Sequence, residues 1–338
     1  MDQIEQQLLI DILNSITRPI LYKYGKQELQ IEIESTSTKE DIIGVILDDV
    51  AKNKTHKEHL YNFVNKVQEW GRQHIFLFRS LPEIRADFKK LNFESLQKIL
   101  IKEEIDLRLN ESRPLFMPGK NGFELFKVTL DEGKRLSLIW AERRVFYSRY
   151  EGEDYIDKDS GLEYRAWKSH QSRGILIFDW NLLTGQMMVR VSQAENKSTY
   201  DNGRRHVLQS IESILKIPAK SWSKLDIRKC IANIKDSGEV STKKFNQETQ
   251  SGGKQSLQSR DKKHGIEVDR ELLDASKAMK NKYASTYGNF FWKVDDDEGL
   301  EKEVHTTIDS KSNSLLVYGI QTEDRVRYIL GRIIHHTR

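Results

Sequence analysis

Two strand-like runs in the middle of the chain constrain its fold more than any other feature. Residues 174–180 and 186–193 are rich in Ile, Val, Leu and aromatic side chains, and a short segment that ends in Gly185 joins them. Apolar runs of this length on either side of a turn are typical of paired antiparallel strands. The first run is apolar on both faces, which places it in the interior of a sheet.

Further strands surround this pair. Apolar residues alternate with polar ones in four earlier segments, at residues 123–129, 135–141, 145–150 and 162–168. The short connections between them favour an antiparallel meander. Helical spacing of apolar residues then predicts two covering helices, over residues 203–215 and 224–234.

Helical periodicity dominates the N-terminal part of the chain. It predicts helices over residues 3–24, 39–53, 57–70 and 93–104, with a half-buried strand over residues 27–33. Near the C-terminus the pattern predicts a helix, three short strands and a final helix that begins at Thr322. The fold class is therefore α+β.

Composition divides the chain into four consecutive parts. We expect a mainly helical domain over residues 1–112, a basic antiparallel-sheet domain over 113–235, a flexible polar linker over 236–265 and a small α/ββα unit over 266–338. In the third part Phe245 and Leu257 are almost the only large apolar residues. So little apolar surface would not offset the entropy lost on ordering that segment.

The same features predict a cytoplasmic protein. The longest apolar runs are only a few residues long, whereas a membrane-spanning helix needs about 20. The first residues are acidic and polar, unlike a signal peptide. Cys230 is the only cysteine, so no internal disulfide can form, and we expect its thiol to be buried as a small apolar group.

Basic residues are concentrated in the middle of the chain. Residues 111–235 contain 22 Lys and Arg against 16 Asp and Glu, whereas residues 1–110 contain 16 against 18. A local excess of cations indicates an anionic partner, because Arg pairs with phosphates and a neighbouring aromatic ring can stack on a base. The predicted nucleic-acid-binding residues are Arg143, Arg144, Arg149, Arg165, Trp167, Lys168, Arg173, Arg204 and Arg205. The alternative is that the tryptophan is a core residue and the arginines are solvated residues at strand edges.

Motifs of standard enzymes are missing from the sequence. It has no phosphate-binding GxxxxGK[ST] loop, no GxGxxG and no GxSxG. We therefore expect no catalytic residue, cofactor or metal ligand. A divergent metal-dependent nuclease stays an alternative, and it would require carboxylates such as Asp179, Asp226 and Asp295 to converge near a lysine.

Three functions are thus compatible with the sequence. The first is a non-enzymatic protein that binds nucleic acid, with DNA favoured over RNA, or acts as a scaffold, and that works with a protein partner or as a homo-oligomer. The second is the divergent nuclease. The third is a protein–protein adaptor that does not contact nucleic acid.

Overall fold

The structure is a computed structural model. It describes residues 3–105, 109–110, 118–119, 122–192, 197–249, 251–260, 265–279, 284–293, 303–319 and 321–337. Asp295, which the nuclease alternative invoked, lies outside these residues. The described elements confirm the α+β class, because a large antiparallel sheet is combined with helices.

Helices are numbered in chain order. They are α1 (Gln3–Ser15), α2 (Arg18–Lys23), α3 (Lys39–Lys52), α4 (Lys54–Trp70), α5 (Pro82–Phe88), α6 (Phe93–Lys102), α7 (Lys197–Leu215), α8 (Arg228–Asp236), α9 (Arg270–Met279) and α10 (Glu323–His336). A π-helical turn at Tyr24–Glu28 follows α2. None of the described helices has the length and apolar character that a bilayer crossing requires.

Strands are numbered in the same way. They are β1 (Gln73–Ser80), β2 (Phe123–Asp131), β3 (Arg135–Arg149), β4 (Tyr155–Ile156), β5 (Glu163–Tyr164), β6 (Trp167–Asn181), β7 (Gln186–Ser192), β8 (Trp222–Lys224), β9 (Val240–Glu248), β10 (Lys254–Gln258), β11 (Ala284–Lys293), β12 (Glu303–Asp309) and β13 (Ser314–Val317). The large sheet has the order β10-β9-β11-β12-β13-β1-β7-β6-β3-β2, and β8 pairs with β1. β4 and β5 form a separate two-stranded hairpin.

The chain forms two compact units, each built from several segments. The first contains Met1–Val64, Arg113–Phe126 and Trp140–Ile175, and the second contains Asn65–Ser112, Lys127–Ile139 and Leu176–Arg338. Each unit combines segments that are distant in the sequence, whereas the parts expected from composition are four consecutive ranges.

Packed helices form the N-terminal part of the first unit. Leu8 and Ile12 lie at i, i+4 spacing and give α1 a buried stripe, and Ile16, directly after the helix, is also buried. Thr38 begins α3 through a capping box, in which its hydroxyl accepts from the backbone N–H of Asp41 and the Asp41 carboxylate accepts from the backbone N–H of Thr38. The capping box therefore fixes the start of α3 at Lys39.

The strand predicted over residues 27–33 is wrong. The chain continues α2 through the π-helical turn, and the Leu29 N–H donates to the Tyr24 carbonyl at 3.2 Å. Leu29 and Ile33, which are four residues apart, are buried, whereas Ile31 between them is only partly buried. Residues 30–34 have no regular secondary structure, and Gln30 adopts a left-handed backbone with φ +56°.

The central strands follow the sequence expectation closely. Residues 174–180 are all buried within β6, and β7 pairs with them in antiparallel register, with Ile177 opposite Arg190. The two strands expected at 135–141 and 145–150 are one continuous strand, β3. Cys230 is buried in α8 as expected, and burial raises the pKa of its thiol to about 12.

The predicted linker differs most from the structure. Residues 236–265 contain β9 and β10, which pair with each other, and β9 also pairs with β11. Val240, Phe245 and Leu257 are buried on this part of the sheet. Few apolar residues suffice here because β11 already supplies hydrogen-bonding partners for one edge of β9.

The core of the second unit lies between the sheet and two helices. Phe290 and Trp292 of β11 are two residues apart, so they lie on one face of the strand, where they belong to a cluster with Ile231 of α8 and Ile329 of α10. The Trp292 indole N–H donates to the Thr306 hydroxyl at 2.8 Å, so the ring is buried without an unpaired donor.

Candidate interaction arm and the predicted basic residues

A hairpin-like extension of the first unit carries the most exposed apolar surface in the described part of the chain. We call residues 145–168 the aromatic arm. It consists of the end of β3, the β4–β5 hairpin and the start of β6. The Tyr150 N–H donates to the Ala166 carbonyl at 3.1 Å, which joins the two sides of the arm.

The tip of the aromatic arm is a tight polar turn. The Asp157 N–H donates to the Leu162 carbonyl at 2.9 Å, and the Ser160 hydroxyl donates to the Asp157 carboxylate at 2.5 Å. These hydrogen bonds, the one from Ser160 above all, lower the pKa of Asp157. Gly161 has a φ of +70°, which a residue with a Cβ rarely adopts. The tip therefore has a defined conformation.

Large apolar side chains project from this arm into solvent. Eight of the fifteen large hydrophobic residues that are strongly exposed in the described part of the chain belong to it. These are Val145, Tyr147, Tyr150, Tyr155, Ile156, Leu162, Tyr164 and Trp167. Single exposed apolar residues are ordinary, but such a concentration marks an interaction surface.

Two aromatic contacts order part of that surface. Tyr155 and Tyr164 stack across the hairpin with ring centroids 4.7 Å apart. The Arg149 guanidinium lies 5.7 Å from the centre of the Trp167 ring, which is 59% exposed. The rings are thus held in place while much of their surface remains accessible, which lowers the entropy cost of a contact.

Two of the three predicted basic residues of the arm, Arg149 and Arg165, already pair with carboxylates. Arg149 donates to both carboxylate oxygens of Asp154, and its Nη1 also donates to the Ala166 carbonyl at 2.9 Å. The hydrogen bond from Arg149 lowers the pKa of Asp154. Arg165 lies 3.2 Å from Glu163. A phosphate would have to displace these internal partners.

The remaining predicted residues of the first unit have different surroundings. Arg144 donates to Glu142 at 2.5 Å, and its guanidinium occupies the space beside Gly174 where a Cβ would lie. Arg173 is buried, 5.5 Å from the centre of the Phe126 ring. Arg143 is partly buried, and Lys168 is exposed without a described ion-pair partner. Trp167 is an exposed residue and not part of the core.

The last two predicted residues belong to the second unit. Arg204 of α7 lies 3.1 Å from Asp201, and its guanidinium is 4.8 Å from the centre of the Phe76 ring. Arg205 lies 3.5 Å from the side-chain oxygen of Asn202. Four of the eight predicted basic residues therefore pair with carboxylates, and a fifth, Arg173, is buried.

A buried charge cluster in the second unit escaped sequence reasoning. Asp179 accepts from Arg135, with the Nε donor at 2.7 Å, and lies 3.8 Å from the Arg190 guanidinium. Arg190 also donates to the Glu69 backbone carbonyl at 2.9 Å and packs 3.8 Å from the centre of the Trp70 ring. The sequence signal was the pair of charged residues Asp179 and Arg190 within the apolar runs of β6 and β7.

Burial dominates the electrostatics of this cluster. Desolvation lowers the pKa of Arg190 to about 10, while Asp179 and Glu69 oppose that shift. The guanidinium therefore stays protonated at neutral pH. Because its acceptors are all internal, the cluster is a structural element rather than a candidate active site.

Aromatic rings also stack on the sheet of the second unit. His305 is sandwiched between Phe291, at 4.4 Å, and Tyr318, at 4.0 Å, with nearly parallel rings. Lys243 lies 5.5 Å from the centre of the Phe291 ring, and Arg72 lies 5.3 Å from that of Tyr318. Both faces of the His305 ring are therefore occupied, and base stacking on it would require the stack to open.

Carboxylates do not converge in the described residues as a nuclease would require. Asp179 is held by arginines, and Asp226 pairs with Arg228 at the surface, which lowers the pKa of that carboxyl to about 2. Within the described ranges, no three His, Cys, Asp or Glu side chains form a group that could hold a metal ion.

Comparison with known proteins adds no relative. The sequence matches no protein-family model, and no curated protein is significantly similar to it.

Proposed function

We propose that this protein is a protein–protein adaptor whose aromatic arm docks into a partner protein. The observation that carries the proposal is the concentration of eight exposed large apolar side chains in residues 145–168. Tyr and Trp dominate the energetics of protein interfaces because they bury much area with few rotatable bonds. Four tyrosines and one tryptophan on a single arm fit that role.

The charge of the arm favours a protein over a nucleic acid. Residues 145–168 contain six carboxylates against four basic residues. Arg149 and Arg165 already pair with carboxylates of the arm, so half of its positive charge is compensated internally. A polyanion would be repelled by the surplus carboxylates.

The same charges define the partner surface. It should offer an apolar groove for rings such as those of Tyr155 and Trp167, with Lys or Arg at its rim. Basic residues at the rim would face the carboxylates of the arm and would steer association more than they add affinity.

Site-directed photocrosslinking in the native cells tests the proposal. A photoreactive amino acid replaces Tyr155 or Trp167 on the arm, and exposed Leu183 of the second unit serves as the matched control position. We expect both arm positions, but not the control, to crosslink to the same protein. That protein is then purified for binding assays with Tyr155→Ser and Trp167→Ser.

The expected binding result is a loss of about tenfold or more for each arm variant, because interface aromatics often contribute more than 1.4 kcal/mol. Leu183→Ser should bind like the wild type. Arm crosslinks to nucleic acid would favour the nucleic-acid-binding alternative. Crosslinks only between two copies of the chain would favour self-association, and the absence of arm-specific crosslinks would contradict docking through the arm.

A further inference from the structure

A pocket of about 360 Å³ lies in the second unit between α8, α9 and β9. Its apolar wall includes Phe245, Ile266 and Leu273. The size lies within the range of sites for small molecules, which are commonly mostly apolar with a few placed polar groups. No residue of the aromatic arm lines it, so the pocket does not depend on the proposed docking function.

Two buried polar side chains line this pocket without a hydrogen-bond partner. Gln247 is 4% exposed and its Oε1 accepts no hydrogen bond, and Ser276 is 1% exposed with an unpaired Oγ. Buried polar atoms in native proteins are mostly paired, and these two lie in one pocket lining, where a bound molecule could pair with both. An Oε1 acceptor requires a partner with an N–H or O–H group.

The charges around the pocket leave one cation available. The Lys235 ammonium lies 2.6 Å from the Asp236 carboxylate, and both oxygens of Glu267 accept from the backbone N–H of Thr242. Lys277 of α9 is exposed and forms no ion pair among the described residues. The site therefore has an apolar wall, a buried acceptor, a buried hydroxyl and a free ammonium.

We propose that this pocket binds a small aliphatic carboxylate that carries an α-amino or α-hydroxyl group. The apolar chain of the ligand packs on Phe245 and Leu273, and its carboxylate pairs with Lys277. The α-amino or α-hydroxyl group donates to Gln247 Oε1. Ser276 completes the polar set, because a hydroxyl can donate or accept.

Isothermal titration calorimetry on the full chain tests the assignment with four probes that share a branched aliphatic chain. Leucine and leucate carry both polar groups, isocaproate lacks the α donor, and isoamylamine lacks the carboxylate. We expect leucine or leucate to bind with a Kd below about 1 mM and the two truncated probes to bind about tenfold more weakly or not at all. No binding of leucine or leucate at about 10 mM overturns the proposal, as does equal binding of isocaproate.

Variants separate a ligand contact from a structural role. Gln247→Leu and Ser276→Ala remove atoms without a partner, so the melting temperature of the ligand-free protein should stay the same or rise. Affinity should nevertheless fall about tenfold in Gln247→Leu and in Lys277→Gln. Lys229→Gln, on an exposed part of α8, is the matched control and should bind like the wild type. Unchanged affinity in Gln247→Leu or Lys277→Gln overturns the assignment.

Discussion

Replacing Asp179 with Asn tests whether a buried carboxylate neutralises Arg190. The substitution preserves the volume of the side chain and one acceptor oxygen but removes the negative charge. Both side chains of the pair are 3% exposed, so neither charge can recover solvation by a small movement. Arg190 would keep its hydrogen bonds to the neutral Glu69 carbonyl at 2.9 Å and to the Gln73 side chain at 3.4 Å. The Glu69 carboxylate also attracts Arg190, but it already pairs with Lys127 at 3.0 Å.

The expected cost follows from distance and burial. Unit charges 3.8 Å apart attract by about 4 kcal/mol at an effective dielectric constant of about 20. Removing one partner of a buried ion pair costs about 3–5 kcal/mol in proteins where it has been measured. Arg135 adds less, because its side chain is 34% exposed and water screens its charge. We therefore expect Asp179→Asn to lower the free energy of unfolding by about 3–5 kcal/mol.

Urea unfolding followed by tryptophan fluorescence measures this effect, since Trp70 lies directly beside Arg190. Asp226→Asn is the matched control, because Asp226 also pairs with an arginine but both side chains are about 60% exposed. That control should cost at most about 1 kcal/mol. The double variant Asp179→Asn/Arg190→Met should be more stable than Asp179→Asn, since it no longer buries an unpaired charge. Equal costs for the two Asp→Asn variants would refute the reasoning.

Three further predictions concern the sheet and the predicted basic residues. Ile177→Ala should lower stability by about 2–5 kcal/mol because the side chain is only 1% exposed, and an unchanged melting temperature would contradict its place in the core. Burial lowers the pKa of His305 to about 4, so between about pH 6.5 and pH 4 the unfolded state binds more protons, and stability falls as the pH falls through that window. In thermal melts, His305→Phe should lose less stability than the wild type between about pH 6.5 and pH 4. Identical pH profiles of the two proteins would contradict a lowered pKa of His305. Fluorescence anisotropy with duplex DNA should give a salt slope near zero, and a slope that falls by about 0.9 for each of Arg143→Gln and Lys168→Gln would instead support DNA binding.

Local patterning was sufficient for much of the central sheet and for the helices. The runs that became β6 and β7 are strongly apolar and flank a short turn, a pattern that favours paired strands inside a sheet. The cap at Thr38 was predictable for a similar reason, since its partner Asp41 is three residues away. Structural features that depend on residues close together in the sequence can therefore be predicted from the sequence.

Other features depend on partners that are distant in the sequence. β9 is polar on its exposed side, and it is ordered because β11, about 40 residues later, supplies its hydrogen bonds. The sequence also could not predict which aromatic residues are exposed. Trp167 and Trp180 both lie in β6, but Trp167 is exposed and Trp180 is buried by residues that pack over it.

The candidate sites show the same division. The sequence by itself determined that basic and aromatic residues are concentrated near residues 140–170, because composition is local. Only the tertiary structure decided whether their charges are available, as the pairing of Arg149 with Asp154 shows. It also placed Gln247 and Ser276 in one pocket, although 28 residues separate them in the chain. Ion pairing and burial depend on which residues are close in the folded structure, and the linear sequence does not show the distances between residues that are far apart in the chain.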